Sequence, residues 1–202
     1  MTVHLYHGDL PAAVRFTGAV AVDTETMGLD LNRDRLCLVQ LSGGDGDAHL
    51  VRIDPKTRAE NLARVLSDPA VLKIFHFARF DLAMIQKHLG VIAEPVFCTK
   101  IASRLTRTNT ERHSLKDLCA ELLGVALDKE QQTSDWGVAE PSAEQQRYAA
   151  NDVLYLHRLK EKLEILLIRE GRLELAHACF ACLNTRAALD VAGWADVDIF
   201  AH

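Results

Sequence analysis

Asp23-Thr24-Glu25, Asp81, Tyr148 and Asp152 are the residues of this 202-residue chain whose types and spacing suggest chemistry. Side chains of a strand alternate between its faces, so Asp23 and Glu25 project together and Thr24 points the other way. Two like charges a few ångströms apart raise each other's pKa, a penalty that a divalent cation removes. A strand end entering solvent accounts for the tripeptide alone equally well. Asp81 falls where a helix begins, and an acid there also complements the helix dipole. Tyr148 and Asp152 are four residues apart and share one helical face, as would a half-buried aromatic beside a solvated acid. Carboxylates are hard oxygen donors, which suit Mg²⁺ or Mn²⁺ rather than Zn²⁺.

The elements that position these residues follow from periodicity and turn signals. Gly18–Thr26 (GAVAVDTET), Arg35–Ser42 (RLCLVQLS) and His49–Asp54 (HLVRID) read as three strands, with GGDGD as the turn between the last two. Short links between successive strands imply an antiparallel meander. Ala59–Leu66 reads as a helix, Val71–Phe77 as a strand, Asp81–Leu89 as a helix stopped by Gly90, and Val96–Cys98 as a short strand. The chain is helical in pattern from Lys100 onward. Ser114 caps a helix to Leu123, 126–137 is a polar loop, Ser142 caps a long helix running to about Glu170, and a last helix spans Arg172–Ala188. Met1–Pro11 is polar and carries no strand in this reading. The fold class is α/β: a mixed central sheet, an antiparallel meander plus parallel strands, flanked by helices, with a helical C-terminal half.

The order of the acids resembles the three exonuclease motifs of the DEDD superfamily. The other branch of that superfamily has a His five residues before the last Asp. Here that position is Arg147, and Tyr148 precedes Asp152 by four, which is the tyrosine pattern. Leu127–Gly137 (LDKEQQTSDWG) is similar to the ribonuclease D loop carrying Lys, Gln and Ser-Asp-Trp. Tyr148–Leu156 (YAANDVLYL) is similar to that family's third motif, and His113-Ser114-Leu115 also follows the family. The match runs from about Ala19 to Leu159.

The resemblance implies a ribonuclease H-like fold and a 3′→5′ exonuclease hydrolysing single-stranded 3′ ends, with release of nucleoside 5′-monophosphates. It implies two divalent ions, Mg²⁺ or Mn²⁺, roughly 4 Å apart. Asp23 would bridge them, Glu25 and Asp152 would hold the ion on the nucleophile side, and Asp81 would act on the other through water. Tyr148, with an ordinary pKa of about 10, is a poor base and would orient the attacking water. Thr24, Met27, Gly28, Leu29, His76 and Phe80 are the candidate substrate contacts. Met27, Gly28 and Leu29 offer an apolar seat for the terminal base or a loop tucked into the core. His76 is a substrate contact or a core histidine, and Phe80 a stacking aromatic or core. The ribonuclease D-like loop favours RNA. A DNA exonuclease of proofreading or repair type shares every catalytic residue, and an inactive binding module would have lost at least one of the five. Full-length ribonuclease D has helical C-terminal RNA-binding domains. This chain, 1–202, reads as a single exonuclease domain without a separate one.

The bulk numbers neither add to nor oppose this. The chain is 49% hydrophobic, 25% charged and 6% aromatic, an ordinary globular composition, with a net charge of −5 that does not by itself mark a nucleic-acid binder. A local positive patch is present: Lys100, Arg104 and Arg107 fall on one helical face, with Arg112 and Lys116 beyond. Lys129, Gln132, Ser134 and Asp135 either touch substrate or brace the Tyr148 helix. Five cysteines, no secretory signal and no membrane-length apolar run indicate a reduced, cytoplasmic protein with buried thiols. Cys179-x-x-Cys182 has no second pair at zinc spacing.

Overall fold

The computed structural model describes residues 2–127 and 134–201. Six strands form one sheet in the order β1-β4-β3-β2-β5-β6. These are β1 (Thr2–His7), β2 (Ala19–Thr26), β3 (Leu36–Ser42), β4 (Asp47–Arg52), β5 (Leu72–Phe75) and β6 (Val96–Cys98). The expected meander is present, with β2–β3 and β3–β4 antiparallel. β5 runs parallel to β2, and β6 parallel to β5. β3 is buried along its whole length, as expected for a near-continuous apolar run in a central strand.

The N-terminal segment is a strand, contrary to the sequence reading. β1 pairs in parallel with β4, from Thr2 opposite Asp47 to His7 opposite Arg52. It is an edge strand that is nowhere fully buried, so its alternation of Val3 and Leu5 with His4 and Tyr6 looks merely polar in sequence.

The helices are α1 (Glu60–Ser67), α2 (Ala78–Leu89), α3 (Thr99–Thr106), α4 (Leu115–Leu118, continued by a wider turn to Leu123), α5 (Ala143–Leu154), α6 (Leu156–Arg169), α7 (Leu173–Ala181) and α8 (Leu183–Leu189). The single long helix expected after Ser142 breaks at Tyr155. No Pro or Gly marks that break. It arises from packing: α5 lies on β1 to β4, while α6 turns to β2, β5 and α3. The last helix divides likewise at Cys182, and a wide turn over Asp190–Trp194 follows α8. No helix among the described residues is long and apolar enough to cross a membrane. Cys37, Cys98 and Cys119 are buried as expected, but Cys182, at the α7–α8 junction, is exposed.

Candidate active site

The site lies where β2 runs out of the sheet. Asp23 sits opposite Gln40 of β3 and Glu25 opposite Leu38, and the register shifts between Glu25 and Thr26, where pairing loosens. α5 packs over this face and brings Tyr148 and Asp152 down onto it. Carboxylate oxygens of Asp23, Glu25 and Asp152 all lie within 4.8 Å of one another, the one such group of three or more metal-ligating side chains among the described residues.

α5 is fixed at its start by a reciprocal cap. The Ser142 hydroxyl accepts from the Gln145 main chain at 3.2 Å, and the Ser142 main chain donates to Gln145 Oε1 at 2.9 Å. The Gln145 amide also donates to Ser134 Oγ at 3.1 Å and to the Asp135 carbonyl at 3.0 Å. Arg35 and Arg52 donate to the carbonyls of Gly137 and Val138, and Trp136 is buried against the Tyr148 side of the sheet. Ser134 and Asp135 thus brace the Tyr148 helix, and Ser134 also lines the carboxylate cleft. Lys129 and Gln132 lie outside the described residues.

Asp81 arrives from the other face. Thr24 points away from Asp23 and Glu25, toward α2, and its hydroxyl donates to Asp81 Oδ1 at 2.6 Å. Thr24 and Asp81 are both buried. A hydroxyl that already gives its one proton to Asp81 has only lone pairs to offer a substrate. The Asp-Thr-Glu tripeptide therefore serves two faces at once, displaying two acids on one and securing a third on the other.

Crowding and burial shape the electrostatics. Burial lifts the Asp23 carboxyl to about 7, opposed by the Thr24 main-chain N–H. Glu25 is raised well above the ordinary range by burial and then by Asp23, Asp152 and Asp81. Burial and then Asp23 raise Asp81. The Tyr148 phenol is also raised, by burial first and by Asp152 next. Three carboxyls raised in this way do not all ionise at neutral pH without positive charge among them. Oxygen ligands with no thiol or imidazole in the group fit Mg²⁺ or Mn²⁺.

The five candidate catalytic residues and the six candidate substrate contacts all line one cleft of about 760 Å³. Met27 and Leu29 are exposed at its mouth. Gly28 is required by a close approach, since a Cβ there would fall 2.2 Å from Asp34 Oδ2. His76 and half-buried Phe80 flank Asp81.

Phe77 was missed. It lines the cleft, half exposed, and is the one non-glycine residue with positive φ (68°) among those described. No sequence signal marks that strain, which a bulky side chain rarely tolerates. Lys100 Nζ lies 4.1 Å from the Phe77 ring centre.

The basic strip is broken up. Lys100 and Lys116 line the cleft and Arg104 is exposed. Arg107 lies beyond the end of α3 and pairs with Glu121, while Arg112 pairs with Asp117 at 2.9 Å and with Glu121 at 3.2 Å. Acids farther along the chain, at 117 and 121, fold back onto it.

An acid cluster at the end of a mixed sheet, with helices bringing further acids from both faces, defines the ribonuclease H-like class of divalent-metal nucleases. The family described as 3′-5′ exonuclease matches residues 9–168, and the chain belongs to it. Among curated proteins it is similar to ribonuclease D of Granulibacter bethesdensis, at 34% identity over 168 residues, covering 83% of this chain and 42% of that protein. It is also 36% identical over 146 residues to DNA polymerase I of Aquifex aeolicus, covering 72% of this chain and 24% of that one. The chain thus spans less than half the length of these curated relatives. Among solved structures, Brucella melitensis NrnC bound to pGG superposes with a TM-score of 0.96 at 53% identity, covering 100% of this chain and 99% of that one. The same protein with bound Mg²⁺ gives 0.95 at 52%, covering 100% of both. Escherichia coli RNase D, an exoribonuclease involved in structured RNA processing, gives 0.74 at 29%, covering 85% of this chain and 45% of that one.

Proposed function

We propose that the chain is a 3′→5′ exoribonuclease that removes nucleoside 5′-monophosphates one at a time from single-stranded 3′ ends. The observation that carries this reading is the convergence of Asp23, Glu25 and Asp152, with oxygens within 4.8 Å of one another, beside Tyr148 and a braced Asp81 in one cleft. RNA is favoured by the ribonuclease D relatives and by pGG in the NrnC complex. The DNA polymerase I match supports a second reading, a DNA 3′→5′ exonuclease with the same site. We read the described residues as one exonuclease domain, because one large apolar cluster joins the sheet to α1, α2 and the C-terminal helices.

In this mechanism Asp23, Glu25 and Asp152 hold two divalent cations, Mg²⁺ or Mn²⁺, and Asp81 assists from the α2 side. Bound cations supply the charge that acidifies water and stabilises the phosphorane-like transition state. Tyr148 stays protonated, because burial and three neighbouring acids oppose the phenolate. It donates a hydrogen bond and fixes the direction of attack. Met27 and Leu29 give the terminal base an apolar seat. The test is incubation with matched 3′-labelled RNA and DNA strands in Mg²⁺, Mn²⁺ or EDTA. Release of labelled mononucleotide from RNA with either metal, and none in EDTA, is expected. No release under any condition sinks the enzyme reading, and equal release from both strands removes the RNA assignment.

A further inference from the structure

His76 follows β5, and its Nδ1 lies 2.9 Å from Thr99 Oγ1. The Thr99 hydroxyl lies 3.1 Å from the Phe75 carbonyl oxygen. A hydroxyl has one proton to give, and a carbonyl can only accept. If that proton pointed at His76, the hydroxyl lone pairs would face the carbonyl. The arrangement that satisfies all three atoms sends the Thr99 proton to Phe75 and the Nδ1 proton to Thr99. The imidazole then carries its lone pair on Nε2. Thr99 is fully buried at the start of α3, so the relay is anchored in the scaffold. Burial and the nearby Lys100 keep the ring neutral. Nδ1 is taken up by the scaffold, and His76 lines the carboxylate cleft, which leaves Nε2 as its polar atom for a ligand.

A lone pair in that place selects its ligand chemically. Phosphate oxygens are acceptors and are repelled by it. Base amino groups are donors, but they differ from base to base. Sugar hydroxyls are donors present on every ribonucleotide, and the 2′-hydroxyl separates RNA from DNA. We propose that His76 Nε2 accepts a hydrogen bond from a ribose hydroxyl of the bound 3′-terminal nucleotide, the 2′-hydroxyl being the one that would set a preference for RNA ends. The proposal rests on the exonuclease reading above.

The experiment uses three oligonucleotides that differ only in the terminal nucleotide: ribo, 2′-deoxy and 3′-deoxy. The wild type, His76→Phe and Thr99→Val are compared for kcat and KM, with thermal unfolding as a fold check. The wild type is expected to cleave the ribo end about tenfold better than one of the two deoxy ends, the scale of one hydrogen bond. Which end suffers identifies the hydroxyl. His76→Phe should erase that preference through loss on the ribo end. Thr99→Val keeps the imidazole but frees its tautomer and should weaken the preference, which keeps the proposal testable if His76→Phe fails to fold. A wild type that cleaves all three ends equally, or a folded variant that retains the full preference, overturns the proposal alone. A wild type that cleaves none overturns the exonuclease reading, and the proposal falls with it.

Discussion

Tyr148 and Thr24 illustrate how much a single side chain's surroundings decide. Tyr148 shares its face of α5 with Asp152, and burial with acid neighbours pushes its phenol away from ionisation. Tyr148→Phe should therefore leave Mn²⁺ binding, followed by calorimetry, unchanged while turnover falls roughly 100-fold or more. Full turnover in that variant would remove Tyr148 from the reaction. Thr24 donates to Asp81 through a 2.6 Å hydrogen bond. Its loss in Thr24→Val should raise the half-saturating Mn²⁺ concentration roughly tenfold, the scale of a charge-assisted hydrogen bond, and Thr24→Ser should restore it. A raised substrate KM with unchanged metal dependence would instead make Thr24 a substrate contact. The sequence shows that Thr24 faces away from Asp23 and Glu25, because alternation is local. It does not show that Asp81 waits on that side, because that meeting spans 57 residues and depends on how α2 packs. Phe77 was illegible for a related reason: its left-handed backbone is imposed by the β5–α2 junction rather than by residue type.

The elements that carry the site were legible where local chemistry determines them. Ser142 is read as a cap from its type and position, and the reciprocal bonds with Gln145 are present. Ser142→Ala should cost about 1 kcal/mol in urea unfolding. Gln145→Ala should cost more, since its amide also ties down Ser134 and Asp135. Equal costs for the two would mean that the loop contacts contribute nothing. The meander between Ala19 and Arg52 was readable from apolar runs and the GGDGD turn. β1 was not, because a half-exposed edge strand shows no apolar run. The break at Tyr155 was not either, because two helices with continuous helical periodicity differ only in what they pack against. Lys73 is a further case. It lies fully buried in a strand otherwise read as apolar, with Nζ donating to the carbonyls of Asp68, Val71 and Glu94. Those partners come from loops that a strand pattern does not predict.

The acid cluster leaves a signature on the stability of the whole molecule. The native state holds the Asp23 proton to about pH 7, whereas an ordinary Asp releases it near 3.8. Between those values the native state binds more protons than the unfolded chain, so this contribution to stability falls as pH rises through the window and stays lost above it. In EDTA, Asp23→Asn should flatten the decline in melting temperature between pH 5 and 7.5. Cations bind the deprotonated acids, so Mn²⁺ should stabilise the wild type more at pH 7.5 than at pH 5. An identical Mn²⁺ shift at both values would argue against metal binding at these carboxylates. The most direct test of the central claim, that this cluster is the metal-dependent centre of a 3′→5′ exonuclease, follows 5′-labelled single-stranded RNA with wild type and Asp152→Asn, in Mg²⁺ and in EDTA. A ladder shortening one nucleotide at a time from the 3′ end is predicted for the wild type in Mg²⁺ alone. The same ladder from wild type in EDTA, or from a folded Asp152→Asn at wild-type rate, would contradict it.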